Sequence, residues 1–265
     1  MRAKVFGIYL AALSAALAAS CVMVMDPGRD GTWPANPEFR RTVDLAAGGT
    51  VSIEHTLGNV VITGREGDSV EVVATGRPGE SSDNRLRVYT AADLEPSIDV
   101  RKAGGGLRIR TKSMGGPWSS GGLNYAIRLP RSVNLDSVRL EKGDISVSGL
   151  YGRMAVELGT GSLKVENFSG PLKASIGSGQ ADIELLDVRA EDIVQVAVEE
   201  GDIILRLEPD AGVRIEAEAP RGEVTSDFDF GRPLPARTLA GRLGSGEAKV
   251  VLKALQGNIR VLKTG

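Results

Sequence analysis

In the C-terminal half of the chain an apolar residue is followed three places on by glycine, and two places after that by another apolar residue. One frame carries Leu140-Gly143-Ile145, Leu158-Gly161-Leu163, Ile176-Gly179-Ala181, Val198-Gly201-Ile203, Ala219-Gly222-Val224 and Leu243-Gly246-Ala248. Around each glycine apolar positions alternate with polar ones: Met154, Val156 and Leu158 interleave with Ala155 and Glu157, and Leu163 and Val165 flank Lys164. A period of two predicts strands with one buried face. Glycine marks the bend between them, because it accepts positive φ without a steric penalty. The residue after it, Asp144, Ser162, Gln180, Asp202, Glu223 or Glu247, is placed to cap that bend. These glycines recur every 18 to 24 residues, a period that suits one coil of a β-solenoid. An antiparallel hairpin is the other arrangement the pattern allows, since Lys142-Gly143-Asp144 also suits a hairpin turn.

Upstream the same alternation runs through Val43 and Leu45, Val51 and Ile53, Val60 and Ile62, and Val70 and Val72. His55 to Gly64 is an outlying copy of the repeat, with Gly58 at the turn and His55 in the inward apolar position. Further strands are expected at 85–90, 97–102, 107–111 and 123–129, with a short helical turn at 91–94. Polar or Gly-rich loops fall at 78–84 and 113–122, the second carrying Trp118 as a candidate contact residue. No heptad or long amphipathic helix follows. The fold expected is all-β: a β-solenoid, a parallel β-helix-like stack of Gly-turn repeats over 131–265, with an irregular β region over 42–130. The two parts make one continuous domain, in which 43–130 and the final strand at 255–263 serve as end caps.

Before this domain the pattern changes. Arg2 and Lys4 precede an apolar run from Val5 to Leu17, which reads as an export signal over 1–20. At about 13 residues the run is short for a membrane span, which needs ~20. The segment Leu17-Ala18-Ala19-Ser20-Cys21 resembles a bacterial lipobox, although its Leu17 stands four residues before the cysteine instead of three. The resemblance implies cleavage before Cys21 and acylation of that residue. A lone cysteine in an exported chain has no disulfide partner, and a lipid anchor accounts for it. Residues 21–41, with three prolines, read as the lipidated cysteine and a flexible tether. The address expected is the bacterial cell envelope. In a host with two membranes the outer one is favoured, because Val22 stands where an aspartate would retain the anchor.

Charge and composition then narrow the function. The 32 basic and 34 acidic residues nearly cancel and are interspersed, which argues against nucleic acid as a partner. Aromatic residues make up 4%, too few for an aromatic-lined groove. A Ser-His-acid triad would need His55 as its base, and no nucleophile elbow accompanies it. One histidine and one cysteine do not furnish a zinc site. Gly159-Thr160-Gly161-Ser162, Gly177-Ser178-Gly179-Gln180 and Gly244-Ser245-Gly246-Glu247 lack the lysine and helix of a phosphate loop, so they read as turns. Asp144, Asp182, Asp202 and Glu223, with Glu199 and Glu200, are carboxylates that stacking would bring near one another. They read as solvated turn caps rather than as a calcium site or an acid pair. No catalytic, cofactor-binding or metal-binding residue is expected.

The run from Tyr125 to Val138, an apolar strand ending in Leu129-Pro130, leads into Lys142-Gly143-Asp144-Ile145-Ser146-Val147-Ser148-Gly149. This resembles the bacterial putative-adhesin domain family, and the similarity extends over 42–263. It implies a right-handed β-solenoid, an envelope location and a role in adhesion, with no catalytic residues to carry over. The chain departs from the pattern after Gly201, where spacing lengthens and 227–235 intervenes. The function expected is a non-catalytic lipoprotein, held to the membrane by its lipid anchor, that binds or scaffolds a surface protein or polysaccharide. A carbohydrate-active parallel β-helix enzyme and a periplasmic accessory of envelope-stress sensing are the alternatives. A recognition surface would lie on outward residues such as Arg139, Glu141, Ser146 and Ser148.

Overall fold

Residues 38–76, 90–112, 122–231 and 233–264 are described by the computed structural model, and there each strand-turn-strand becomes one coil running between two opposed sheets. The strands in chain order are β1 (Glu38–Asp44), β2 (Thr50–Leu57), β3 (Val60–Arg65) and β4 (Ser69–Gly76). A single helical turn, α1 (Ala91–Leu94), precedes β5 (Ile98–Ala103), β6 (Gly106–Thr111) and β7 (Leu123–Pro130). The repeat region gives β8 (Asn134–Lys142), β9 (Ile145–Tyr151), β10 (Met154–Thr160), β11 (Leu163–Ser169), β12 (Leu172–Ser178) and β13 (Ala181–Leu185). It ends with β14 (Ile193–Glu200), β15 (Ile203–Leu207), β16 (Val213–Glu218), β17 (Val224–Ser226), β18 (Thr238–Arg242), β19 (Ala248–Gln256) and β20 (Ile259–Lys263). The strand expected at 85–90 and the loops at 78–84 and 113–122 fall almost wholly outside the described residues, as do the export signal and Cys21.

Each sheet holds ten strands. Sheet I runs β18-β16-β19-β14-β12-β10-β8-β2-β6-β5, and sheet II runs β1-β4-β7-β3-β9-β11-β13-β15-β20-β17. Successive coils pair in parallel: β8 with β10, β10 with β12 and β12 with β14 in sheet I, and β9 with β11 and β11 with β13 in sheet II. This settles the choice between coil and hairpin. A hairpin would have paired β8 with β9, whereas those strands lie in different sheets.

The inward faces form one apolar core. Register stacks like on like: Ile53, Val138, Val156, Ala174, Val196, Leu252 and Ala217 make one column through sheet I. Tyr125, Val60, Ile145, Leu163, Ala181, Ile203, Ile259 and Val224 face it from sheet II. Each fully buried aliphatic side chain contributes roughly 1.5–3 kcal/mol from area removed from water, so small aliphatic residues in many layers replace the aromatic core the composition lacks.

The order of coils differs from the order of the chain at both ends. The first coil, β2/β3, lies between β6/β7 and β8/β9, while the last, β19/β20, lies between β14/β15 and β16/β17. The expectation that 255–263 caps the stack is therefore corrected: β20 is interior. The C-terminal end is closed by β16, β17 and the antiparallel β18, and the excursion after β17 buries Phe228 against it. The N-terminal end is closed by antiparallel β1, β4 and β5, so the expected cap over 43–130 holds only for its outer strands. Strand β1 also occupies Glu38–Asp44, where residues 38–41 were expected to belong to the tether.

Candidate functional site

Glycine at each coil corner has a cause beyond positive φ, which Gly222 does not adopt. A Cβ on Gly143 would lie 2.1 Å from the carbonyl oxygen of Gly58, one on Gly161 would lie 1.9 Å from that of Gly143, and Gly179 and Gly201 repeat the contact at 1.8 Å. The column continues through Gly257, against Gly201 at 2.0 Å, and then Gly222, against Gly257 at 2.0 Å. Gly58, Gly143, Gly161, Gly179, Gly201 and Gly222 thus occupy corners, and Gly246 does not. Gly246 closes a tight turn ahead of β19, its N–H donating to Leu243 at 3.0 Å. The corner missed in sequence is Gly257, although Ala254-Gly257-Ile259 carries the same spacing. The residue after the corner glycine at 58, 143, 201 and 257 reaches across to the next coil, not around its own bend. Asn124 Oδ1 accepts the Asn59 N–H at 2.9 Å, Asn59 Oδ1 that of Asp144 at 3.0 Å, and Asp144 Oδ1 that of Ser162 at 2.8 Å. Asp202 accepts from Asn258 at 2.8 Å and Asn258 from Glu223 at 3.0 Å. The expected capping by Glu247 has no place in this ladder, because Gly246 is not a corner.

His55 stands at the head of the inward column Leu140, Leu158, Ile176, Val198 and Ala254. It is buried, at 3% exposed. Its Nε2–H donates to the Leu123 carbonyl at 2.8 Å, since a carbonyl only accepts. Nδ1 therefore accepts from the Thr111 hydroxyl at 2.8 Å, and Thr111 accepts from the Tyr125 hydroxyl at 2.8 Å. The Tyr125 ring packs edge-on to the imidazole, with centroids 5.0 Å apart. Burial lowers the His55 pKa to about 4, and the same desolvation raises Tyr125 to about 12. Each polar atom of this cluster has a partner and no carboxylate joins it, so it is a satisfied core network and His55 lacks the orienting acid of a triad.

The turn carboxylates do not converge. Asp144, Asp202 and Glu223 lie along the corner, whereas Asp182 points from the outer face of sheet II toward Arg206. No group of three or more His, Cys, Asp or Glu among the described residues is placed to hold a metal. Trp118 and Cys21 lie outside the described residues.

A concavity lies on the outer face of sheet I, a groove of about 1020 Å³ crossing β6, β2, β8, β10 and β12. Its floor is made of residues that barely project: Ala155, Gly159, Ser175 and Gly177. Along one side runs an ionic ladder, with Glu54 beside Arg110 at 3.2 Å and Arg139 beside Glu157 at 2.9 Å, the latter bidentate with a second contact at 3.4 Å. Strand register places Glu54 next to Arg139, so the charges alternate in sign across β6, β2, β8 and β10. Glu141 and Lys173 complete the charged lining. Exposed pairs of this kind each contribute only ~0–1 kcal/mol. Arg139 and Glu141 line this groove, but Ser146 and Ser148 sit on sheet II, so the outward set read from the sequence belongs to two opposite faces. A smaller hollow of about 250 Å³ on sheet II is lined by Lys164, Glu166, Asp182, Glu184 and Arg206.

The family model described as Toastrack DUF4097 matches residues 46–262. The chain belongs to the Toastrack DUF4097 family. Its fold is shared with a putative cell adhesion protein from Clostridium sporogenes, 15% identical with a TM-score of 0.50, over 86% of this chain and 100% of that one. A putative adhesin from Bacteroides fragilis is 12% identical over 88% of this chain and 100% of its own, with a TM-score of 0.37. A putative lipid binding protein from Parabacteroides distasonis is 9% identical over 86% and 97%, with a TM-score of 0.33. No curated protein matches the chain. Within this Toastrack fold the corner glycines let the parallel strands stand at backbone contact distance.

Proposed function

We propose that this Toastrack protein is a non-catalytic binding module of the bacterial envelope that engages a surface component along the outer face of sheet I. The observation that carries this reading is the groove itself. Larger side chains would be tolerated at 155 and 175 as far as the core is concerned, yet small residues stand there under a rim of paired charges, beside Gly159 and Gly177, which backbone carbonyls 2.4 and 2.6 Å from where a Cβ would stand keep small. Planar Arg and Glu groups along one side, with Lys173 and Glu141, which form no ion pair among the described residues, at the other, suit a polar, hydrogen-bonding ligand such as a polysaccharide or a polar protein segment. The adhesin descriptions of the structural neighbours agree with a binding role. Retention of the full chain by envelope polysaccharide and protein fractions tests it. Ser175→Arg and Ala155→Arg fill the floor and are expected to weaken retention roughly tenfold, the scale of a contact worth more than 1 kcal/mol. Retention unchanged in both variants would overturn the assignment to this face.

Anchoring is proposed separately, on the lipobox-like segment ending at Cys21. Metabolic labelling with a fatty-acid analogue is expected to mark the native chain and not Cys21→Ala. Equal labelling of the two would reject the anchor.

A further inference from the structure

The four outermost strands of the stack differ in how their open edges are protected. An edge strand presents unpaired N–H and C=O groups, which charged side chains or a covering segment ordinarily block. In β1 the block is Glu38, Arg40, Arg41 and Asp44, and in β5 it is Asp99, Arg101 and Lys102. Strand β17 is covered by a bridge, with the Val224 N–H donating to Ala236 at 2.6 Å and the Ala236 N–H returning to Val224 at 3.2 Å. Strand β18, Thr238-Leu239-Ala240-Gly241-Arg242, has neither protection at its centre. Its one charge is turned aside, since the Arg242 side chain lies over Gly246, with Cγ 2.0 Å from where a Cβ there would be.

The outward groups of β18 follow from its pairing with β16. The Leu243 N–H donates to Val213 at 2.8 Å and the Ala219 N–H to Arg237 at 2.8 Å, with Ile215 opposite Gly241 and Ala217 opposite Leu239 between them. Antiparallel ladders alternate, so Thr238, Ala240 and Arg242 direct both backbone groups away from the sheet. Among the described residues no hydrogen bond takes these groups up. The inward side beside them is apolar: Leu239 is buried and Phe230 lies over Gly241, with its ring 2.2 Å from where a Cβ would stand.

We propose that β18 is a homodimerisation edge, pairing antiparallel with β18 of a second copy about a two-fold axis at Ala240. The strand is self-complementary in that register. Ala240 faces its own counterpart, and Thr238 faces Arg242 of the second copy, so no like charges meet. A slip by four residues would bring Arg242 against Arg242, which cross-strand repulsion disfavours. Phe230 of each copy covers the glycine that the partner's Leu239 approaches. Joining the two copies makes one continuous sheet carrying both grooves on the same face, which lets a repeating ligand be held at two points.

Oxidation of the full chain bearing Cys21→Ala and Ala240→Cys is expected to give a covalent dimer, because directly opposite residues have Cα atoms about 5.5 Å apart, within disulfide reach. Ser148→Cys, on sheet II, is the control expected to stay uncrosslinked. Sedimentation over a concentration series at low salt supplies the second readout. Thr238→Glu places a carboxylate opposite the second copy's Arg242 and is expected to tighten the dimer about fivefold, whereas Thr238→Arg weakens it about fivefold. Within one copy the order is reversed, because Thr238 sits beside Glu218, so a change in folding stability alone would move the two variants the opposite way. A chain that remains monomeric throughout, a dimer that Ala240→Cys fails to trap, or the reversed order of the two variants would each overturn the proposal.

Discussion

The α-carbon of Gly161 rests against the carbonyl oxygen of Gly143, so closely that a Cβ at 161 would stand 1.9 Å from it. The same relation repeats from coil to coil, and it separates two reasons for glycine that sequence alone merges. Gly161 has φ of +139° and Gly67 has +127°, but nothing lies within 4 Å of a Cβ built at 67. Gly67→Ala bears only the backbone strain, about 1–2 kcal/mol. Gly161→Ala adds a clash with backbone that does not yield, and is expected to lose at least ~3 kcal/mol. Urea unfolding of both variants checks the difference, and equal losses would show that φ alone selects glycine at the corner.

The corner ladder predicts a charge-independent effect. Asp144→Ala leaves the Ser162 N–H without its acceptor and is expected to lose ~1–2 kcal/mol. Asp144→Asn keeps an acceptor oxygen and is expected to stay within ~0.5 kcal/mol of the parent. Thermal or denaturant midpoints for the pair provide the measurement. A loss as large for Asn as for Ala would point to the charge, not the hydrogen bond.

His55 makes stability depend on pH in a definite direction. Its folded pKa of about 4 lies below the unfolded value of 6.5, so the unfolded chain takes up the proton first as pH falls. The stabilisation is fully present above pH ~6.5 and erodes between there and ~4, the loss reaching about 3 kcal/mol at the acid end. His55→Leu lacks this titration, but takes the acceptor from the Thr111 hydroxyl and the imidazole donor from the Leu123 carbonyl and loses ~1–3 kcal/mol at neutral pH. Unfolding free energies at pH 7 and pH 4.5 are therefore expected to fall further for the parent than for His55→Leu. Parallel pH profiles would refute the assignment.

Removing residues 247–265 is expected to do more than trim an end. Strands β19 and β20 are the partners of β14, β15, β16 and β17, so their loss strands the coil at 213–226 and bares the edge of the coil before it. Circular dichroism and limited proteolysis of a chain ending at Gly246 should show disorder reaching back at least to β16. Full retention of the cooperative transition would contradict the intercalated coil order.

Much of the stack was legible because its signals are local. A period of two with a glycine at the bend appears within about twelve residues, and it places Val138, Leu140, Ile145 and Val147 inside and Arg139, Glu141, Ser146 and Ser148 outside. His55 was legible as a packed structural histidine because no second ligand or acid accompanies it. What reads the same in two places is where sequence failed. Gly246 and Gly257 both have apolar residues three before and two after, and only the stacking partner of Gly257, the Gly201 carbonyl, distinguishes them.

The sequence by itself determined the strands, their buried faces and the glycine corners up to Gly222, since all of these depend on neighbours along the chain. Tertiary structure alone decided that coils pair in parallel, that the first and last coils lie inside the stack and that Asp144 serves the coil beyond its own. It also decided that Arg139 and Ser146, seven residues apart, look out from opposite faces. The reason is physical: a strand's alternation fixes which side faces the core, but its partner is chosen by register and packing between segments far apart in sequence, and no local pattern records that choice.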